Sequence, residues 1–194
     1  MTTINAPMTI IDAIKTRRSV RSFGPQRLDR TVINELLAAA VRAPTARHEE
    51  PWAFAIIQDK LLLRHVSDRA KKMIAEDAYL RHDRGGHDHS TFAQPEFNIF
   101  YNAGTLIAIC GGAQDEFVVA DCWLAAENLM LAACAVGVGT CVIGSAVPAL
   151  NDHKTKDELG IPAEISVVAP IIVGVPDGTG RPTPRKDPKV LTWK

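Results

Sequence analysis

A long apolar segment, Phe117 to Val136, constrains this chain more than any other feature of its sequence. The segment is about long enough to cross a bilayer, but Asp121, Glu127 and Asn128 interrupt it, and such residues are costly in hydrocarbon. Because it is apolar almost all round, a helix here must be covered on every side by its own domain or by a partner subunit. We therefore predict a buried helix from about Asp115 to Val136 and no membrane span.

The overall composition is that of an ordinary globular protein. The chain has 194 residues, 46% of them hydrophobic, and its 22 basic and 22 acidic side chains balance. A chain of this length can bury one core, so we predict a single domain over residues 1–194, with the Pro-rich residues 176–194 as an extended tail. The zero net charge argues against a nucleic-acid binder, because such proteins need a basic excess to attract phosphates.

Two further features concern the cellular compartment. The N-terminus lacks the basic and apolar regions of a secretory signal, which predicts a cytoplasmic protein. The four cysteines all lie in apolar runs, and no two of them have the CxxC spacing of a zinc or redox site. We expect buried, reduced thiols.

Helical and strand-like segments alternate along the chain. The predicted helices cover residues 10–17, 30–43, 60–79, 115–136 and 150–159, and the first three follow the capping residues Thr9, Asp29 and Asp59. Short β-rich runs predict strands at 52–58, 105–110 and 165–175, the last broken by Pro170, with a short extended piece at 141–143. This alternation indicates an α/β or α+β domain in which helices cover a sheet.

The segment from Leu80 to Asn98 shows no periodicity and contains a polar, Gly-interrupted stretch with His82, His87 and His89. A long loop of this kind in a compact domain often serves as a lid or binding segment. Imidazole and carboxylate groups are good zinc ligands, but their spacing here matches no closed zinc site. We therefore predict an exposed loop and no metal site.

A basic segment near the N-terminus has the chemistry of a phosphate site. Arg17, Arg18 and Arg21 alternate with Ser19 and Ser22 where the first helix ends. Guanidinium groups meet phosphate oxygens bidentately, and hydroxyls add donors, so the cluster can hold a phosphomonoester without a P-loop. The alternative is a solvated basic helix end that is favoured by the helix dipole.

Three further segments have compositions suited to ligand contacts. The loop from Arg42 to Trp52 lies between a helix and a strand, where ligand contacts are common. The segment from Val138 to Ser145 contains small residues that permit a flat group to approach the backbone. In the tail, Arg185 and Lys186 could bring more positive charge to the same anion.

In this order, the four segments resemble the motifs of the nitroreductase family of flavin mononucleotide (FMN) proteins. Arg17 to Phe23 resembles the family's RRSxRxF segment, and Ala43 to Trp52 resembles its APSxxNxQPW loop. Gly137 to Ser145 corresponds to a Gly-containing segment after the long central helix, and Pro184 to Pro188 to a C-terminal RKP-like element. Each motif alone is weak, whereas their order and spacing over most of the chain are specific.

The resemblance implies a cofactor, a fold and an assembly. The fold would be α+β of the three-layer type, with a central mixed or antiparallel sheet flanked by helices. FMN would lie at a homodimer interface, with some contacts from the partner subunit, and the partner would also cover the apolar helix. The implied contacts are Arg17, Arg18, Ser19, Arg21 and Arg185 at the phosphate, Pro44, Thr45, Ala46, His48 and Glu50 along the ribityl chain and ring, and Val142, Ile143 and Gly144 at the isoalloxazine.

Two departures from the family pattern lie in the loop from Ala43 to Trp52. His48 and Glu50 stand where the family commonly has Asn and Gln, so a titratable ring and a carboxylate replace neutral amides. A carboxylate near the flavin would disfavour the anionic reduced ring and lower its potential, unless Glu50 pairs with Arg47 or Arg42.

By the same resemblance, the protein would take a hydride from NADPH or NADH onto flavin N5 and pass electrons to a nitroaromatic, quinone or similar small acceptor. The cofactor carries that chemistry, so no catalytic side chain is predicted. Other chemistry of the family stays open, namely dehydrogenation, dehalogenation or flavin fragmentation. Two further alternatives are an FMN-binding module without physiological turnover and an interaction protein without flavin.

Overall fold

A four-stranded antiparallel sheet forms the centre of the protein. The computed structural model describes residues 8–80, 90–112, 115–178, 180 and 183–194. The strands are β1 (Trp52–Ile57), β2 (Thr105–Gly111), β3 (Gly139–Val142) and β4 (Ser166–Gly174), in the order β1-β2-β4-β3. All neighbouring pairs of these strands are antiparallel.

The prediction that Pro170 breaks the last strand is wrong, because β4 continues through it. Pro170 lies opposite Ala108 of β2, and a bulge at Ile109 and Cys110 shifts the register beside it. A proline lacks the N–H that a regular ladder requires, and Pro170 lies just beyond the last pair between β3 and β4, Val142 and Ile171, where β4 has no strand of the described chain on that side. The carbonyl of Pro170 still accepts a 2.9 Å hydrogen bond from the Ile143 N–H, just after β3.

The helices begin and end close to the predicted positions. They are α1 (Ile10–Thr16), α2 (Arg30–Ala40), α3 (Lys60–Leu80), α4 (Ser90–Ala93), α5 (Glu116–Ala135), α6 (Val147–Leu150) and α7 (His153–Leu159). At α1, Thr9 and Asp12 form the predicted capping box. The Asp59 carboxylate accepts from the first N–H groups of α3, whereas Asp29 makes no side-chain cap at α2.

Two predictions about secondary structure need correction. The predicted helix from Leu150 to Leu159 begins only at His153, because α6 ends at Leu150, the chain turns, and Asp152 caps α7 anew. In the segment predicted as loop from Leu80 to Asn98, α4 adds a short helical turn. The histidine-rich stretch, residues 82–89, lies outside the described residues.

Helices cover both faces of the sheet. On one face, Leu106 and Ala108 pack with Val66 of α3 and Leu150 of α6. On the other face, Ile107 and Ile109 pack against α2 and α5. Successive residues of a strand point to opposite faces, so β2 contributes to both cores and is buried along its whole length. The three layers confirm the predicted α+β fold, and the sheet is antiparallel.

Helix α5 leaves one apolar side uncovered by the described chain. By length and composition alone this helix could span a membrane, but Cys122, Ala126 and Leu129 are buried against the sheet, as in a core helix. The opposite side exposes Phe117, Trp123 and Leu124. Alongside it, α1 exposes three isoleucines, Ile10, Ile11 and Ile14. We predicted that this helix is covered on every side, and the described residues of the chain do not supply the cover on this side.

The four cysteines are free thiols, and three of them are buried, as predicted. Cys110, Cys122 and Cys141 are buried and Cys134 is half-buried. Burial raises the pKa of both Cys110 and Cys122 to about 11. A thiol with so high a pKa stays protonated and unreactive near neutral pH.

Candidate functional site

The basic segment of residues 17–21 lies along β3. The N–H of Val20 donates to the carbonyl of Thr140 over 2.9 Å, and Ser19 forms an isolated parallel bridge with Thr140. Val20 is buried against Gly139, where a β-carbon would lie 2.9 Å from the valine side chain. Glycine at this position therefore allows the basic segment to approach the strand.

The same segment continues to the end of β4. Phe23 bridges Pro176 and packs on Gly174, and the N–H of Gly24 donates to the Val175 carbonyl over 2.9 Å. Val20 and Phe23 thus fix the segment at two points. Arg21, between them, and Ser19, just before Val20, are exposed. Arginine side chains on this segment are held close to the end of β3 by backbone contacts.

A first cleft of about 140 Å³ lies beside the end of α1 and is lined by Arg17, Arg18 and Val20. The Nε of Arg17 lies 3.6 Å from the Glu127 carboxylate of α5. The Arg18 guanidinium packs against Gly180 at the start of the tail. Two of the predicted phosphate ligands therefore share one cleft.

A second cleft of about 180 Å³ brings Arg21 together with Val142, Ile143 and Gly144. These residues were predicted to contact opposite ends of one cofactor. A β-carbon built on Gly144 would meet no atom of the described residues within 4 Å, so those residues leave open space in front of this backbone. Arg21, a predicted phosphate contact, therefore lies with the three predicted ring contacts at the end of β3.

An aromatic cluster of Phe92, Phe97 and Tyr101 forms the other side of the second cleft. Phe97 packs edge-on against both other rings, with centroids 5.7 Å from Phe92 and 5.6 Å from Tyr101. The Arg21 guanidinium lies over the Tyr101 ring, 5.9 Å from its centroid, within the range of a cation–π contact. No local sequence pattern indicated this cluster, because Phe92 and Phe97 lie in the aperiodic segment and Tyr101 lies just after it, before β2.

The loop of residues 44–50 has an unusual backbone. Arg47, His48 and Glu50 have φ angles of 57°, 57° and 46°, in the left-handed region that non-glycine residues seldom adopt. Asp121, buried in α5, accepts a hydrogen bond from the Ala46 N–H with both carboxylate oxygens, at 3.2 and 3.1 Å. The sequence analysis treated Asp121 only as an interruption of an apolar helix.

The predicted residues of this loop differ in exposure. Pro44, His48 and Glu50 are exposed, and Thr45 and Ala46 are half-buried. The alternative that Glu50 pairs with Arg42 or Arg47 is not realised, since neither forms an ion pair with it within the described ranges. Arg47 instead lies over Phe117, 5.6 Å from the ring centroid.

The loop of residues 44–50 and the basic segment contact α5 near opposite ends of the helix. Ala46 contacts Asp121 near the start of the helix, whereas Thr16, just before the basic segment, lies 3.6 Å from Cys134 near its end. A helix rises 1.5 Å per residue, so these contacts are about 20 Å apart along the axis. Arg185 is exposed in the tail and forms no ion pair or hydrogen bond among the described residues. One subunit does not gather all the predicted contacts.

The clefts fit part of an FMN molecule. Guanidinium groups at Arg17, Arg18 and Arg21 suit a phosphate, and the open backbone at Gly144 suits a flat ring. Cofactor sites usually measure about 300–1,000 Å³. Each cleft is smaller than that, which agrees with a site that a second subunit completes.

Comparison with known proteins agrees with this reading of the fold. A model of the Nitroreductase family matches residues 14–175. A protein of Archaeoglobus fulgidus, named for a proposed NADH dehydrogenase or NAD(P)H nitroreductase activity, is 28% identical over 168 residues, covering 84% of this chain and 83% of that protein.

Two solved structures illustrate the range of this fold. The FMN-bound nitroreductase of Bacteroides fragilis superposes with a TM-score of 0.77 at 24% identity, covering 95% of this chain and 97% of that one. An iodotyrosine deiodinase bound to FMN and 3-iodo-L-tyrosine superposes with a TM-score of 0.74 at 22% identity, covering 96% and 100%. With the family match spanning most of its length, the chain belongs to the Nitroreductase family.

Proposed function

We propose that this protein is a homodimeric, FMN-dependent oxidoreductase that moves electrons from NADPH or NADH to a nitroaromatic, quinone or similar small acceptor. One observation carries the proposal. In a chain of the Nitroreductase family, Arg21 and the backbone of residues 142–144 line the same cleft. That arrangement offers a cation for a phosphate and a flat, open surface for a ring.

The phosphate would be held by the basic segment. Arg17, Arg18 and Arg21 supply guanidinium donors and Ser19 supplies a hydroxyl, with Arg185 contributing from the tail. Such charge-assisted hydrogen bonds are about twice as strong as neutral ones. Because Val20 fixes the backbone of the segment to Thr140, the Cα positions from which these donors extend are set before the ligand arrives.

The remaining contacts would come from β3 and the loop. Val142, Ile143 and Gly144 would face the isoalloxazine, and Pro44, Thr45, Ala46, His48 and Glu50 would lie along the ribityl chain and ring of the partner's cofactor. FMN, when bound, supplies the hydride acceptance and electron transfer. The protein positions the cofactor, neutralises its phosphate and limits which molecules reach the ring.

The proposed dimer follows from the uncovered side of α5. Phe117, Trp123 and Leu124 form an apolar side that a second copy can bury. A two-fold axis that crosses α5 near its middle would run the two copies of the helix antiparallel. The start of one helix, with its loop of residues 44–50, would then lie beside the end of the other, where the basic segment is. This arrangement would close the separation of about 20 Å.

Reductive dehalogenation is a second candidate activity. The similar iodotyrosine deiodinase structure holds FMN and 3-iodo-L-tyrosine. In this chain, Phe92, Phe97 and Tyr101 line the cleft beside residues 142–144, and aromatic walls favour an aromatic acceptor. The cluster suits a nitroarene, a quinone and a halophenol alike, so the acceptor has to be identified by turnover.

An absorption spectrum of the purified protein, before and after reconstitution with FMN, tests the cofactor first. Anaerobic addition of NADPH and then NADH tests the donor, and oxidised flavin bands that bleach identify it. The reduced protein is then mixed with a nitroarene, a quinone and 3-iodotyrosine, and the rate of flavin reoxidation names the acceptor class. A protein that binds no FMN would refute the proposal, and FMN that neither nucleotide reduces would leave a binding module.

A further inference from the structure

We infer that Asp121 is a positioning residue of the flavin site, which acts through the backbone of the loop of residues 44–50. The inference rests on the proposed function, because that function gives the loop its contact with the cofactor. Asp121 itself belongs to α5 and lines neither cleft. Its effect on the cofactor would therefore be indirect.

The contact of Asp121 with the loop is specific. The side chain is 4% exposed, and both carboxylate oxygens accept from one donor, the Ala46 N–H, at 3.2 and 3.1 Å. Among the described residues, no cation pairs with this carboxylate. Burying a carboxylate is costly unless hydrogen bonds compensate it, and aspartate is a weak helix former. The residue thus adds little to α5 itself and contributes its hydrogen bond to the loop.

The loop needs such a restraint. Arg47, His48 and Glu50 all have left-handed backbone angles, and such residues persist only where their surroundings hold them. Phe117 lies one helical turn before Asp121 and packs under the Arg47 guanidinium. Two side chains four residues apart on α5 therefore hold two consecutive loop residues, Ala46 and Arg47, in this conformation.

The consequence is a link between the subunit interface and the cofactor. Phe117 lies on the uncovered side of α5, and Asp121 lies one turn further along the same helix. In the proposed dimer, the loop that they hold reaches the cofactor of the other subunit. A change at Asp121 should then alter the ring and ribityl contacts and leave the phosphate contacts intact.

The test compares Asp121→Ala with Asn128→Ala in the full-length protein. Asn128 is a matched control, because its Nδ2 donates to the Ala39 carbonyl of α2 over 3.3 Å from the same helix. Both substitutions remove one bond between a side chain and the backbone, but only the first releases the loop. Dissociation constants for FMN and riboflavin are measured by quenching of flavin fluorescence, together with oligomeric state and urea midpoint.

We expect Asp121→Ala to weaken binding of FMN and of riboflavin by about ten-fold each, the effect of one buried hydrogen bond. Asn128→Ala should leave both constants within about two-fold. Equal losses in the two variants would overturn the inference and identify general loosening of α5. Unchanged affinity in Asp121→Ala would overturn it as well. If the unmodified protein binds no FMN, the proposed function itself is refuted, and this outcome is distinct from a failure of the inference about Asp121.

Two further variants keep the test decisive if Asp121→Ala does not fold. Asp121→Asn retains a side-chain oxygen of the same reach, so it should keep FMN affinity within about two-fold of the unmodified protein. An Asn variant with a ten-fold loss would contradict a role through this hydrogen bond. Phe117→Leu keeps an apolar side chain but removes the contact with Arg47, and we expect a two- to five-fold loss for both flavins.

Discussion

The guanidinium of Arg17 lies 3.6 Å from the carboxylate of Glu127, and this pair joins the predicted phosphate site to the uncovered side of α5. The side chain of Glu127 is about half exposed, and an exposed ion pair contributes at most about 1 kcal/mol to stability. Arg17 is therefore held in place weakly and can rotate toward a phosphate at small cost. Arg17 is therefore one of the first residues to substitute in a test of the phosphate site.

The Arg17→Ala, Arg21→Ala double variant should lose affinity for FMN but not for riboflavin, which lacks the phosphate. Two charge-assisted hydrogen bonds together contribute about 3 kcal/mol, so the dissociation constant for FMN should rise about 100-fold. We also expect a weaker dimer, because the cofactor bridges the subunits in the proposed arrangement. Titration with each flavin measures the difference.

Arg27→Ala is the control for this pair, because the Arg27 guanidinium donates to Gln58 over 3.3 Å and lines neither cleft. It should bind FMN like the unmodified protein. If the double variant binds FMN normally, Arg17 and Arg21 do not hold the phosphate.

Glu50→Gln should raise the midpoint potential of the bound flavin. Glu50 is exposed and forms no ion pair with Arg42 or Arg47, so its charge is free to act on a nearby ring. Removing one charge at a partly exposed site changes the energy of the reduced anion by about 1 kcal/mol, which corresponds to about 20 mV for a two-electron couple. Spectroelectrochemical titration gives the potential.

Glu49→Gln is the matched control, since it removes a neighbouring exposed carboxylate of the same loop. A shift of the same size in both variants would indicate a general charge effect. No shift in Glu50→Gln would place that carboxylate away from the ring.

If the proposed dimer forms through α5, Leu124→Arg should convert it to a monomer and release FMN. Leu124 is 45% exposed on the apolar side of α5, and a charge there would lose its water in a tight interface. The oligomeric state follows from sedimentation velocity, and the flavin content from absorbance. Leu61→Arg is the control, because it adds the same side chain to another helix, α3, at a position that is 73% exposed. Dissociation in both variants, or in neither, would contradict an interface on α5.

The two buried thiols should make the protein less stable at high pH. Burial raises the pKa of Cys110 and Cys122 from 9.0 to about 11, so the folded chain keeps protons that the unfolded chain releases between these values. The free energy of unfolding should then fall as pH rises through this window, by up to about 3 kcal/mol for each thiol. Urea unfolding at about pH 8 and about pH 10.5 measures the change.

A Cys110→Ala, Cys122→Ala double variant should show a smaller loss between the two pH values, because neither thiol remains to titrate. Cys134→Ala is its control, since Cys134 is only half-buried and both deeper thiols stay in place. If the double variant loses as much stability as the unmodified protein, other groups cause the alkaline effect.

Local sequence signals predicted most of the fold. Thr9 and Asp12 specify the start of α1, and Gly160, with a φ of 68°, ends α7 where the sequence indicated. Such signals act within a few residues. Pro170 misled the prediction because its effect depends on how β4 pairs with β3 and β2, strands that lie about thirty and sixty residues earlier in the chain.

The candidate site was predictable only where its residues follow one another in the chain. The basic segment and residues 142–144 were identified from their composition, but their meeting depends on the backbone bond from Val20 to Thr140. Asp121 and Tyr101 were missed for a different reason. Asp121 acts on a loop far away in sequence, and Tyr101 lies between the aperiodic segment and β2, so neither carries a local pattern.

The placement of the basic segment beside β3 has a consequence for solubility. β3 is the last strand of the sheet and only four residues long, and its outer side meets the chain again at Ser19 and Val20. Unprotected edge strands invite pairing with other molecules, and natural proteins cover them. Residues proposed to hold the phosphate thus also shield a sheet edge. A variant that detaches this segment from β3 would therefore expose an unpaired strand edge and aggregate more readily.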